Sequence, residues 1–105
     1  MISFEMAEKA NDFIRDEAGT YAKSVANREY LDEHLKIIEA TLMNAIDGAE
    51  HIKKAFARSH NDYMVNVEGR KVVREEEIKL RWQLVAAQTK IDMWRSYNKT
   101  HSMGV

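Results

Sequence analysis

A stripe of mostly apolar residues, spaced alternately by four and three positions, constrains this chain more than any other feature. Leu31, Leu35, Ile38, Leu42, Ala45, Ala49, Ile52, Phe56, Ser59 and Tyr63 keep the alternation without a slip. Such spacing is the seam of a helix packed lengthwise against another helix. Val73, Glu77, Leu80, Leu84, Ala87, Ile91 and Trp94 repeat it. Between the two runs stands Asn66-Val67-Glu68-Gly69, the strongest turn signal in the chain. The pattern predicts an all-α protein built on a long, antiparallel, coiled-coil-like helical hairpin.

A shorter N-terminal helix completes a three-helix arrangement. Phe4, Ala7, Asn11, Ile14, Ala18, Tyr21 and Val25 form its stripe, with Ser3 as N-cap. Continued, this stripe would reach Arg28 and Asp32, whereas the next one starts at Leu31. The shift of phase predicts a break or kink at Ala26-Asn27. Asp47-Gly48 is a second turn signal, but Ala45, Ala49 and Ile52 pass it in register, so the helix is read as intact there. The expected organisation is a single helical domain over residues 1–105, with helices at about 3–26, 28–63 and 70–98 and a frayed tail at 99–105. Proline is absent, so nothing forces a break within these spans.

Helices this long in a chain of 105 residues have much surface and little interior. Ile37, Ile46, Val72, Ile78, Trp82, Val85 and Met93 fall beside the seam. They suit a third helix or a second copy of the chain, and a homodimer or higher homo-oligomer is expected. No apolar run is long enough to cross a bilayer. Neither a basic-then-apolar leader nor any cysteine is present. These features predict a cytoplasmic protein with no membrane partner.

The formal net charge of −1 hides an asymmetry. Residues 1–50 carry a balance of −6 and residues 51–105 a balance of +5. Attraction between an acidic and a basic arm accounts for this, and a basic surface for nucleic acid is the alternative. Lys53, Lys54 and Arg58, with Arg70, Lys71 and Arg74 across the predicted tip, are the candidate phosphate contacts. Trp82, off the seam, is the candidate partner-facing aromatic. Trp94-Arg95 offers a stacking and phosphate pair, although the register makes Trp94 a seam residue and leaves Arg95 as the exposed member.

No catalytic, cofactor or metal residues stand out. His34, His51, His60 and His101 form no i, i+4 pair and no Glu-x-x-His pair, which removes the helical zinc and di-iron signatures. Glu5-x-x-Glu8 followed by Glu29-x-x-Asp32 resembles the acidic pattern of MazG-type nucleotide pyrophosphohydrolases. In that family facing acids from two helices hold magnesium.

A second resemblance covers most of residues 20–100. Tyr30-Leu31, Lys36, Ala40, Ala55 to Tyr63, Val73 to Glu77 and Ile91-Asp92-Met93-Trp94-Arg95-Ser96 are similar to small helical proteins of tailed bacteriophages, encoded among early or recombination genes. It implies a phage origin and work in the host cytoplasm, and it supplies no catalytic residues. The expected role is a non-enzymatic oligomeric binding protein without cofactor, acting on phage DNA metabolism or on an unidentified host protein. Direct nucleic-acid binding by the basic half is the first alternative, and magnesium-dependent nucleotide hydrolysis the second.

Overall fold

The structure, a computed structural model, describes residues 2–103. Among these it contains three helices and no strand: α1 over Phe4–Met43, α2 over Glu50–Ser59 and α3 over Asn61–Met103. The long helices α1 and α3 pack against each other as the expected hairpin. The chain divides into two compact units, and both long helices contribute to each. One unit takes the residues up to Lys23 together with those from Ile78 onward; the other is Ser24–Glu77.

In the first unit, α1 starts where the sequence places it. The Ser3 hydroxyl accepts the Met6 N–H at 3.2 Å, and the Ser3 carbonyl accepts the Ala7 N–H at 3.1 Å. These contacts satisfy donors that an uncapped helix start leaves open. Glu5 in the first turn complements the positive helix end. The core is small: Ala10, Ala87 and Ile91 are buried together, with Phe13 and Ile14 packed against them. The Phe4 and Trp94 rings lie 5.4 Å apart at 59°, so Trp94 is a seam residue, as its register predicts.

In the Ser24–Glu77 unit, Arg28, Leu31, Leu35, Ile38 and Leu42 face inward from α1. Tyr63, Asn66, Arg70, Val73 and Glu77 face inward from α3, all buried or half-buried. A turn at 44–49 follows α1. Gly48 has φ +138°, a backbone region that L side chains rarely adopt, so glycine is required there. The short α2 is anchored by Ala57, which is fully buried, and by Arg58 Nε, which reaches Glu39 Oε2 of α1 at 3.5 Å.

The helix boundaries differ from the expected ones at five places. Ala26 and Asn27 lie inside α1, with no break. A single alternation of three and four joins Ala7, Ala10, Ile14, Glu17, Tyr21, Ser24, Arg28, Leu31 and Leu35. Its inward positions include polar residues, and Asn11, Ala18 and Val25, their neighbours, imitate a stripe of different phase. The predicted helix over 28–63 is interrupted by the turn at Gly48 and again at His60. The predicted tip, Asn66-Val67-Glu68-Gly69, lies within α3, where no heavy atom approaches within 4 Å of a Cβ built on Gly69. The short helix is therefore the middle one. Residues 99–103 continue α3 instead of fraying, and the last two residues of the predicted tail lie outside the described residues.

His60 separates α2 from α3 with φ −72° and ψ 142°, an extended conformation. Its Nδ1 accepts the Asp62 N–H at 3.1 Å, and its carbonyl accepts the Met64 N–H at 3.1 Å. The imidazole thus fills the capping role that Ser or Asp side chains usually take at a helix start. Phe56, one turn back in α2, presents its ring to His60 at 5.9 Å and 66°.

Candidate functional site

Within Ser24–Glu77 the seam holds a chain of alternating charges. Arg28 donates from Nε to Glu77 Oε2 at 2.7 Å and from Nη2 to Glu77 Oε1 at 3.0 Å. Its remaining nitrogen, Nη1, donates to Asp32 Oδ2 at 3.3 Å. Asp32 Oδ1 accepts in turn from Arg70 Nη1 at 3.4 Å. Glu77 is buried and Arg28 half-buried. The guanidinium is held protonated above its ordinary range, first by the hydrogen bonds to Glu77 and then by that to Asp32, against the opposing cost of desolvation. Planar guanidinium and carboxylate groups favour this two-bond geometry, which a lysine cannot reproduce.

One position to either side of the seam, the faces of this unit differ. Asp32, Lys36, Glu39 and Arg74 lie one position after seam residues, and with Arg70 and Tyr63 they line a polar groove of about 400 Å³. On the opposite side, His34, Ile37, Thr41, Asp62 and Val65 line a groove of about 610 Å³. Tyr30 and Val72 extend that face, seven residues from Ile37 and Val65. The Tyr30 and His34 rings stack at 5.8 Å and 8°. Tyr30, Ile37, Val65 and Val72 are all well exposed.

In the other unit, Ile14, Tyr21, Leu84 and Val85 line an open apolar groove of about 310 Å³, together with Arg81. The opposite side of the same helix pair has a groove of about 360 Å³ that includes Met6, Phe13, Lys9 and Lys90. Trp82 is 62% exposed, as its off-seam position predicts, and Arg95 is exposed as well.

Half of the predicted basic set is matched by acids of the chain. Lys53, Lys54 and Arg58 sit on α2, and Arg70, Lys71 and Arg74 sit well inside α3 instead of flanking a tip. Lys54 pairs with Glu50 at 3.6 Å, Arg58 with Glu39, and Arg70 with Asp32. Each of these three charges is matched within the chain. The four acids of the pyrophosphohydrolase-like pattern all lie on α1, so they do not face one another from two helices. Glu5 is paired with Lys9 at 3.4 Å, and Asp32 with two arginines. Among the described residues, no group of three or more His, Asp or Glu is placed to hold a metal ion, and no helix is long and apolar enough to cross a membrane.

No protein-family model, curated protein or solved structure matches the chain. The site must therefore be judged by its own chemistry. Two features escaped sequence reasoning. Arg28 was hidden because a charged residue on an apolar stripe reads as the end of the stripe, although Glu77 on the answering stripe was a signal that an arginine should face it. The cap at His60 left no signal beyond the Asp that follows two residues later.

Proposed function

We propose that this chain is a non-enzymatic helical protein that works as a homo-oligomer and acts by binding a protein partner. The observation that supports this most directly is its uncovered apolar surface. Phe4, Tyr30, Ile37, Trp82 and Val72 are each more than three-fifths exposed, and among the described residues no side chain is both large and fully buried. The chain exposes 7709 Å². A compact monomer of 12.2 kDa exposes about 6,100 Å². The excess is comparable to what standard protein interfaces take from each partner, about 800 Å², twice over. Trp82, exposed and off the seam, is the residue best suited to anchor a partner protein. The similarity of residues 20–100 to small helical phage proteins supports an accessory role in an infected host's cytoplasm, with DNA metabolism or a host protein as its target.

Light scattering tests the oligomer. A mass that rises above 12.2 kDa with protein concentration supports the reading, and a constant 12.2 kDa rejects it. The partner arm is tested by cross-linking from Trp82 replaced with a photoreactive residue in host cytoplasm. One discrete protein adduct, abolished by competing unlabelled protein, is the expected result; diffuse or absent labelling counts against it.

A further inference from the structure

We infer that two different faces of this chain pair between copies: the acid-edged apolar face of the Ser24–Glu77 unit docks on the lysine-edged apolar face of the other unit in a second copy. The inference rests on the oligomer reading above and names its surfaces. On the first face stand Tyr30, Ile37, Val65 and Val72, all well exposed. Helix geometry adds Glu76, one turn beyond Val72, and puts Glu68 at the edge, one turn from both valines. On the second face Met6, Phe13 and Ala86 line a groove with Lys9 and Lys90. Lys79 and Met93 stand seven residues to either side of Ala86 and extend that face along α3.

Charge selects the occupant, because neither face complements itself. Set against its own equivalent, the first face brings Asp62, Glu68 and Glu76 together, and the second brings Lys79 and Lys90 together. Like charges facing each other across an interface oppose docking. Other charges at these edges are engaged locally. Glu5 holds Lys9 at 3.4 Å, Arg15 holds Asp16 at 3.1 Å, Lys36 holds Glu33 at 3.0 Å, and Asp62 lies 3.7 Å from His60 Nδ1. Among the described residues, Glu68, Glu76, Lys79 and Lys90 enter no ion pair. All four are exposed, and the acids stand on one face and the lysines on the other.

The spacing matches as well. Val65 and Val72 lie one heptad apart on α3, as do Ala86 and Met93. Laid antiparallel, α3 of one copy sets Val65 opposite Met93 and Val72 opposite Ala86 of the other. The same alignment puts Glu68 opposite Lys90, and Glu76 within one turn of Lys79. Gly69 lies between the two valines with open space where a Cβ would stand, and Ala86 is small, so the two backbones can approach closely. Each copy offers both faces. The area left uncovered, about 800 Å² twice over, is what two such faces bury.

The test is a charge swap read by sedimentation. Wild type is expected to reach at least twice 12.2 kDa. Lys79→Glu with Lys90→Glu puts acids on both faces, and Glu68→Lys with Glu76→Lys puts bases on both. Each double variant alone should raise the dissociation constant by about 100-fold or more. Mixed in equal amounts, the two should assemble with about the wild-type affinity, because every contact between them again joins opposite charges. Arg95→Glu with Lys99→Glu, elsewhere on α3, changes the net charge as the first variant does and should keep the wild-type mass. Far-ultraviolet circular dichroism checks that helicity is retained. Wild type gives a second reading that needs no variant: raising salt from about 50 to about 500 mM should weaken its association about tenfold or more. This interface is overturned, and the oligomer reading left standing, by any of four results: helical variants whose mixture does not assemble, a reversed variant that keeps the wild-type mass alone, an Arg95→Glu, Lys99→Glu variant that dissociates as fully, or association independent of salt. A wild type that stays at 12.2 kDa throughout overturns both.

Discussion

Arg28 and Glu77 face each other from the seams of α1 and α3 and are joined by two parallel hydrogen bonds of 2.7 and 3.0 Å. Most coiled-coil seams exclude such a pair, because removing both charges from water is costly. A polar pair at one seam position instead restricts the ways two helices can slide past each other. A shift of one heptad would set Arg28 against Arg70 or Leu84 and leave Glu77 without its guanidinium. In the Ser24–Glu77 unit, where Asp32 and Arg70 extend the network, the pair is expected to restrict register.

This role separates two kinds of mutation. Glu77→Ala leaves the Arg28 guanidinium half-buried without its main acceptor, and should lower the melting temperature by roughly 5–15 °C. Arg28→Leu combined with Glu77→Leu removes both charges and fills the space with apolar groups. It should recover most of that loss in a thermal melt. The register function predicts a further difference: the double variant should broaden exchange cross-peaks along α1 in nuclear magnetic resonance spectra, as helices without a polar pair sample alternative alignments. Sharp, single peaks would show that the apolar seam alone sets the alignment.

The pH dependence follows from the chemistry of guanidinium. The folded state raises the Arg28 pKa above its ordinary value, chiefly through the hydrogen bonds to Glu77. A raised cationic pKa contributes stability that is present below the unfolded value and lost only as pH rises through the folded one. For arginine that window lies above about pH 12. Arg28→Lys brings it down, since the ammonium has an unfolded pKa near 10.4. The stability difference between wild type and Arg28→Lys should therefore be constant from pH 7 to 9 and widen above about pH 10. Urea denaturation at pH 7, 9 and 11 measures it, and parallel profiles would count against the role given to Arg28.

How far the fold was legible depended on which residues occupied the seam. From Val73 to Trp94 the inward positions are mostly apolar, and the structure keeps the predicted register there, including the Phe4–Trp94 contact. From Ala7 to Arg28 the same register runs through Glu17, Ser24 and Arg28. Those residues look like surface, and the apolar neighbours Ala18 and Val25 suggest another phase. At Asp47-Gly48 the local signal was correct, but Ala45, Ala49 and Ile52 kept their spacing across a turn by coincidence, and all three are exposed. At Asn66–Gly69 the reverse holds, because a glycine with no demand for positive φ is tolerated in a helix held by its flanks. For the site, Trp82 was legible as an exposed aromatic, whereas the pairing of Lys54, Arg58 and Arg70 with acids needed the three-dimensional arrangement.

The two glycines of α1 and its following turn should respond oppositely to alanine. Gly48→Ala forces a Cβ onto a backbone with φ +138° and should cost about 1–3 kcal/mol. Gly19→Ala meets no atom within 4 Å in a regular helix and should stabilise the protein by about 0.5–1 kcal/mol. Chemical denaturation of the two variants beside wild type reads both signs. Equal effects would mean that the turn at 44–49 is not fixed by Gly48.

Ala57 tests how α2 is held. Among the described residues it is the one core residue with no exposed surface, and it stands on a helix of ten residues with no side-chain cap at its start. Ala57→Leu adds three carbons where no space is left and should destabilise by about 1–3 kcal/mol. The loss should be local, so hydrogen exchange should accelerate over residues 50–59 well before the α1 and α3 amides of the same unit. Uniform acceleration would show instead that α2 folds and unfolds with the long helices as one.

Nucleic-acid binding by the basic half should be weak for an electrostatic reason. Affinity for a phosphate backbone comes from cations that release counterions on contact, and it falls steeply with salt in proportion to their number. Lys54, Arg58 and Arg70 are already neutralised by Glu50, Glu39 and Asp32, leaving Lys53, Lys71 and Arg74 of the candidate set in that unit. A gel shift with single- and double-stranded DNA at about 20 mM salt should give at most micromolar retention that disappears near physiological salt. Replacing Glu39 with Gln frees Arg58 beside Arg70 and Arg74, and should strengthen retention about threefold to tenfold. Tight wild-type binding that persists at physiological salt would show that the acids on α1 and α2 do not mask these bases, and would move the binding of nucleic acid ahead of protein partners.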